Sequence, residues 1–138
     1  MVDPGRVAAL LERVGAEVKA IRQSTERPDE DLHSDNDALP AMKYRLVVAI
    51  ETTIDIADHI IASEGMRPAQ SFADSFAALE EGGWVDGDLA GALQEAARFR
   101  NLLVHQYADV DDDRVVETAR TRLNDLETYC TTIARRLA

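Results

Sequence analysis

DGDLAGALQEAARFRNLLVHQY, residues 86–107, is the stretch on which the reading of this chain turns. Leu89, Leu93, Ala96, Phe99 and Leu103 recur at steps of three and four, so one side of a helix is apolar. Asp86 or Asp88 stands where its N-cap belongs. The stripe 89, 93, 96, 100, 103 asks for an apolar residue at its fourth place and finds Arg100. A guanidinium on a buried face is costly unless it is paired. Arg100 therefore calls for a carboxylate, a partner subunit or a substrate phosphate, and Glu51 and Asp55 on an earlier helix are acids that could serve. His105 lies five residues further on, about 140° around an ideal helix. The two side chains do not share a face if the helix runs straight. Either the helix ends near Val104, or each side chain meets groups from elsewhere.

The flanking sequence is helical on both sides. Asp3 followed by Pro4 is a cap and first turn, and Val7, Leu10, Leu11, Val14, Val18 and Ile21 continue as an amphipathic helix that Pro28 stops. Residues 24–39 are polar and acidic and read as a surface connector. Leu39, Met42, Leu46, Ile50, Thr53, Ala57 and Ile60 mark a long second helix, with Gly65 and Pro68 as its stop. Phe72, Phe76 and Leu79 predict a short helix closed by Gly82-Gly83, after which Trp84 and Val85 fold back. Beyond a turn at Asp109–Asp113, the heptad stripe Val116, Ala119, Leu123, Leu126, Cys130, Ile133 and Leu137 predicts one regular last helix with that face in the core. Strand alternation and internal repeats are absent. The expected architecture is all-α: one domain over residues 1–138, an antiparallel bundle of four long helices plus one short helix.

Composition narrows the function classes. The 138 residues carry a net charge of −11, whereas a protein that holds nucleic acid through many phosphates is ordinarily basic. Any contact with RNA has to be local, at a small cationic spot. Aromatics make up 5%, so the core is built mainly of Ala, Val, Leu and Ile. The lone Cys130 excludes an intrachain disulfide, and with only His33, His59 and His105 it cannot found a zinc set. Asp55 and His59 stand at i and i+4 and can touch, but no further ligand accompanies them, so neither a metal site nor a cofactor is expected. No run approaches the ~18 apolar residues of a membrane span, and the N-terminus has no apolar signal core. The expected compartment is the reducing cytoplasm. P-loop, dinucleotide and nucleophile-elbow patterns are missing.

Arg100-Asn101 followed by His105 and Tyr107 matches the R-N-x-x-x-H-x-Y signature of HEPN-domain ribonucleases. The likeness extends to Tyr44–Glu51 and Asp55–Ile60, to the short helix Phe72–Gly83, and to Asp109-Val110-Asp111. Over roughly Tyr44 to Leu126 the chain resembles the HepT-type branch of that family. The resemblance implies the HEPN fold and a homodimer whose two-fold axis brings both Arg/His motifs into one cleft, where groups that diverge within one chain converge across two. It implies a toxin of a type II/VII-like toxin–antitoxin pair that acts as a metal-independent endoribonuclease. Arg100, His105 and Asn101 would be catalytic, with Glu51 and Asp55 in support. It also implies a nucleotidyltransferase-type antitoxin that transfers AMP to Tyr107. The alternative is a non-catalytic HEPN interaction subunit of a nucleotidyltransferase complex, in which Arg100 and His105 are interface or nucleotide-binding groups.

Overall fold

The structure, a computed structural model, describes residues 1–138. It consists of α1 (Pro4–Thr25), α2 (Asp29–Ser34), α3 (Ala38–Ser63), α4 (Phe72–Glu81), α5 (Gly87–His105), a 3-10 turn at Tyr107–Asp109, α6 (Asp112–Thr121) and α7 (Leu123–Leu137), with no strand. The all-α expectation holds.

Helix boundaries follow local chemistry. The Asp3 carboxylate accepts the Arg6 N–H and caps α1, with Pro4 in the first turn. Of the two candidates for α5, Asp86 is the cap, accepting the Leu89 N–H at 2.8 Å. Gly65 and Gly83 take φ of +63° and +76°. In each case the next N–H reaches back five residues, Met66 to Ile61 at 3.0 Å and Trp84 to Leu79 at 2.9 Å, closing α3 and α4 in the manner that favours glycine at the left-handed position. Trp84 and Val85 then turn into the core, and the Arg136 guanidinium lies 4.5 Å from the Trp84 ring centroid.

α3 runs through the middle and packs on α1, α2, α4, α5 and α6. Its apolar face, from Leu39 to Ile61, joins Val14, Val18, Phe76, Leu93, Leu103 and Ile133 in one continuous core. The pairings are antiparallel. Asp3 at the start of α1 meets His59 near the end of α3, while Glu17 bonds Arg45 nearer its start. Arg100 late in α5 meets Phe72 at the start of α4, and Lys43 early in α3 meets Tyr107 after α5.

The acidic connector is partly helical and contains α2, whose Leu32 is fully buried. Arg120 on α6 clamps it through the Asp29 carboxylate and the Arg27 carbonyl. Six residues are too few to display a helical period, and the acids Asp29, Glu30 and Asp31 in its first turn read equally well as a solvated loop. The last helix is two helices, so the bundle has three long helices and four shorter ones rather than four long and one short. The chain departs from helical geometry at Arg122 (φ −112°, ψ −3°). There the Thr121 hydroxyl donates to the Glu117 carbonyl at 2.8 Å, a back-bond that bends helices. Arg122 is held across the break by Glu95 of α5 and by Asp125. After the bend Tyr129 is fully buried and Cys130 packs half-buried beside it. The Tyr129 hydroxyl donates to the Thr53 carbonyl at 3.0 Å, and its ring meets Phe76 edge-on at 5.8 Å. Burial pushes the Tyr129 phenol well above its ordinary value and the Cys130 thiol up to about 11. No helix is long and apolar enough to cross a membrane.

Candidate active site

The last two turns of α5 pack beside the turn between α3 and α4, leaving a groove of about 790 Å³. Its walls are Asp58, Ile61 and Ala62 of α3, residues 68–71 of the turn, Phe72 and Ser75 of α4, and Arg100, Asn101 and His105 of α5. Asn101 and His105 stand one turn apart on the same face of α5, as i and i+4 residues do. Arg100 lies one position away, and its length brings the guanidinium round. Nη1 donates to the Asn101 side-chain oxygen at 3.0 Å. The five-residue spacing still turns Arg100 and His105 to different sides of α5. α5 ends at His105, as the C-cap at Gln106 requires, yet the two side chains line one groove.

Arg100 has the partner that its place on the apolar stripe demands. Nε donates to Glu51 Oε1 at 2.9 Å and Nη2 donates to the same oxygen. The guanidinium also stands 4.8 Å from the Phe72 ring centroid. The Arg100 side chain is 14% exposed and that of Glu51 41%, so the pair sits at the edge of water rather than in a dry interior. An edge position leaves the guanidinium within reach of an incoming anion.

Asp55 does not pair with Arg100, whose partners are Glu51 and Asn101. It sits one turn further along α3, exposed. Partial burial first, and then the Asp58 and Glu51 carboxylates, raise its pKa above the ordinary 3.8. The expected contact between Asp55 and His59 is replaced by another. The His59 Nε2 accepts the Asp3 N–H at 3.1 Å and ties α1 to the end of α3. Asp58 receives the Ser75 hydroxyl at 2.7 Å, which joins α3 to α4 beneath the groove. No group of three or more His, Cys, Asp or Glu side chains is placed to hold a metal ion.

Tyr107 is not a wall of this groove. It opens the 3-10 turn after α5, 44% exposed. Lys43 of α3 holds it there, with Nζ 4.8 Å from the ring centroid and donating to the Tyr107 carbonyl at 3.4 Å. The same ammonium pairs with Asp112 at 3.1 Å, and the Lys43 side chain is only 9% exposed. Sequence reasoning missed Lys43, though its signal matches that of Arg100. It falls on the buried stripe with Leu39, Met42 and Leu46, where a cation has to have partners. Phe72 also went unremarked as a site residue, because a helix-spaced aromatic reads as core.

Residues 14–133 match the family described as Ribonuclease HepT-like. The chain belongs to that family. It is 33% identical over 79 residues to the mRNA nuclease HepT of Shewanella oneidensis, a match covering 57% of this chain and 59% of that protein. The matched stretch thus spans less than two thirds of that relative's length. To the tRNA nuclease HepT of Aphanizomenon flos-aquae it is 24% identical over 116 residues, covering 83% and 78% of the two. Among solved structures it is similar to the tri-AMPylated Shewanella oneidensis HEPN toxin in complex with its MNT antitoxin. The TM-score is 0.87 at 25% identity, covering 98% of this chain and 99% of that one. A toxin–antitoxin structure with AMP-PNP is similar at a TM-score of 0.84 and 25% identity, covering 94% and 97%.

Proposed function

We propose that this HepT-like chain is the toxin of a type II/VII-like toxin–antitoxin pair, a cytoplasmic, metal-independent endoribonuclease. In this reading it works as a homodimer and is neutralised by a nucleotidyltransferase-type antitoxin that transfers AMP to Tyr107. The observation that carries the proposal is the groove that gathers Arg100, Asn101 and His105. The nuclease and toxin relatives supply the reaction class.

RNA brings its own nucleophile. His105 takes the proton of a 2′-hydroxyl, the general-base part for which an imidazole is suited. The 2′-oxygen bonds to phosphorus and the bond from phosphorus to the 5′-oxygen breaks. A proton from the second subunit's His105 completes a 5′-hydroxyl, leaving a 2′,3′-cyclic phosphate. Arg100 holds the phosphate and offsets the charge that builds on it. Asn101 holds the guanidinium in place, and Glu51 orients it from behind. In neutralisation the Tyr107 hydroxyl attacks the α-phosphorus of ATP and pyrophosphate leaves. The bulk and negative charge added to an exposed ring two residues beyond His105 then repel RNA phosphate.

The test is incubation of pure protein with RNA in EDTA, comparing wild type with His105→Ala and Arg100→Ala. Cleavage by wild type and its loss in both folded variants is the expected result. Full cleavage by a folded His105→Ala protein overturns it. Mass spectrometry of the chain co-expressed with its partner gives the second check, with AMP on Tyr107 expected and AMP solely elsewhere, or nowhere, counting against neutralisation at that residue. A rival reading, the non-catalytic interaction subunit, draws on the same ion pair, since Glu51 and Asn101 already engage Arg100. The EDTA experiment separates the two, because an interaction subunit leaves the RNA whole.

A further inference from the structure

Phe72 is the one benzenoid ring lining the groove, and it is 40% exposed. It occupies the first position of α4, directly after the Ser71 cap, whose hydroxyl accepts the Asp74 N–H at 3.0 Å. The turn that presents it is braced from below. Arg67 donates to both oxygens of Asp74, at 2.8 and 3.0 Å, and to Glu81 at 2.8 Å. Asp74 also accepts the Gln70 N–H at 2.9 Å. The ring is therefore a fixed feature of the groove. The Arg100 guanidinium lies over the ring, and Phe72 keeps part of its surface in solvent.

Charge makes such a ring useful. The chain carries −11 overall, and Arg100 is the one guanidinium or ammonium group lining the groove, with the Asp58 carboxylate lining it too. Phosphate contacts and counterion release cannot supply much affinity here. Stacking can, because every nucleobase has a face to offer and needs no cation. We infer that Phe72 is the platform on which a nucleobase flanking the scissile phosphate stacks, next to the Arg100 that holds the phosphate. This rests on the nuclease reading above and names what that site grips besides phosphate.

The test uses a labelled single-stranded oligoribonucleotide spanning a linkage that the protein cuts in total RNA, with an abasic residue on either side of that linkage in two further substrates. Phe72→Leu is expected to lower kcat/KM about 5- to 100-fold, chiefly through KM, and Phe72→Trp to restore it. Removing the stacked base is expected to cost wild type a similar factor and to cost Phe72→Leu almost nothing, because the partner is already gone. A part that is merely structural would leave the two proteins equally sensitive to base removal. Equal losses in both, at both flanking positions, overturn the inference. If Phe72→Leu fails to fold, wild type decides alone, and indifference to an abasic residue on either side overturns it. Wild type that cuts no RNA overturns the nuclease reading and this one together, whereas cutting without base dependence overturns only this one.

Discussion

The two ends of α5 obey different rules. At its start Asp86 caps the helix and Leu89, Ala90 and Leu93 are buried, so pattern and packing agree. At its end Arg100 interrupts the apolar face, Val104 and Tyr107 are exposed, and His105 closes the helix in the open. The first end is what a bundle needs to fold. The second departs from that need and recovers part of the cost through Glu51 and Asn101. A helix that satisfies every local preference at one end and breaks them at the other has been shaped there for something besides stability.

Substitutions along α5 should therefore divide into those that lower activity and those that lower stability. The largest effect belongs to the far end. His105→Ala is expected to reduce the RNA cleavage rate by about 10²–10⁴, the usual size of general acid–base help, while the melting temperature holds. Rate and melting curve measured on one sample check both halves. At the near end Leu93→Ala should cost about 2–5 kcal/mol by opening a cavity under α3 and α4, read from denaturant unfolding. Any activity it loses should return where the variant is fully folded. If His105→Ala unfolds the protein, or if Leu93→Ala is as stable as wild type, the contrast between the ends fails.

Much of this contrast can be read in the sequence, and its limits have physical causes. The caps at Asp3 and Asp86 and the glycine stops at Gly65 and Gly83 are local, so they show in a few residues. The need of Arg100 for an acid follows from one misfit on an apolar stripe. Which acid answers it does not follow, because Glu51 and Asp55 are one turn apart and only the packing of α3 on α5 selects Glu51. The bend at Arg122 is hidden for a similar reason. Thr121 lies off the apolar stripe, which reads equally well straight, and a heptad written through the bend omits the buried Tyr129. That Arg100 and His105 line one groove depended on the reach of a flexible side chain, which angular spacing does not describe.

Smaller effects sharpen the comparison further. Asp86→Ala removes the cap at the well-behaved end and should cost about 1 kcal/mol of unfolding free energy with cleavage unchanged. Asp55→Asn tests the acidic surround of the other end. The folded pKa of Asp55 is raised, so its protonated form favours the fold below 3.8 and that advantage is lost as pH climbs through the raised value. At neutral pH the charged side chain therefore opposes folding slightly, and the asparagine variant should be more stable by up to about 0.5 kcal/mol. The gain should vanish below pH 3.8. Melting temperatures at neutral pH and near pH 3.5 give the comparison, and a loss of stability at neutral pH would show that the Asp55 carboxylate is engaged after all.

The chain has a single tryptophan, Trp84, buried just before α5 begins and lying under Arg136. The 19-residue α5 separates it along the chain from His105. Its fluorescence is thus an intrinsic gauge of global unfolding for substitutions at His105. An inactive variant whose emission spectrum matches that of wild type has lost its chemistry rather than its fold, and the same cuvette that holds the RNA can report both.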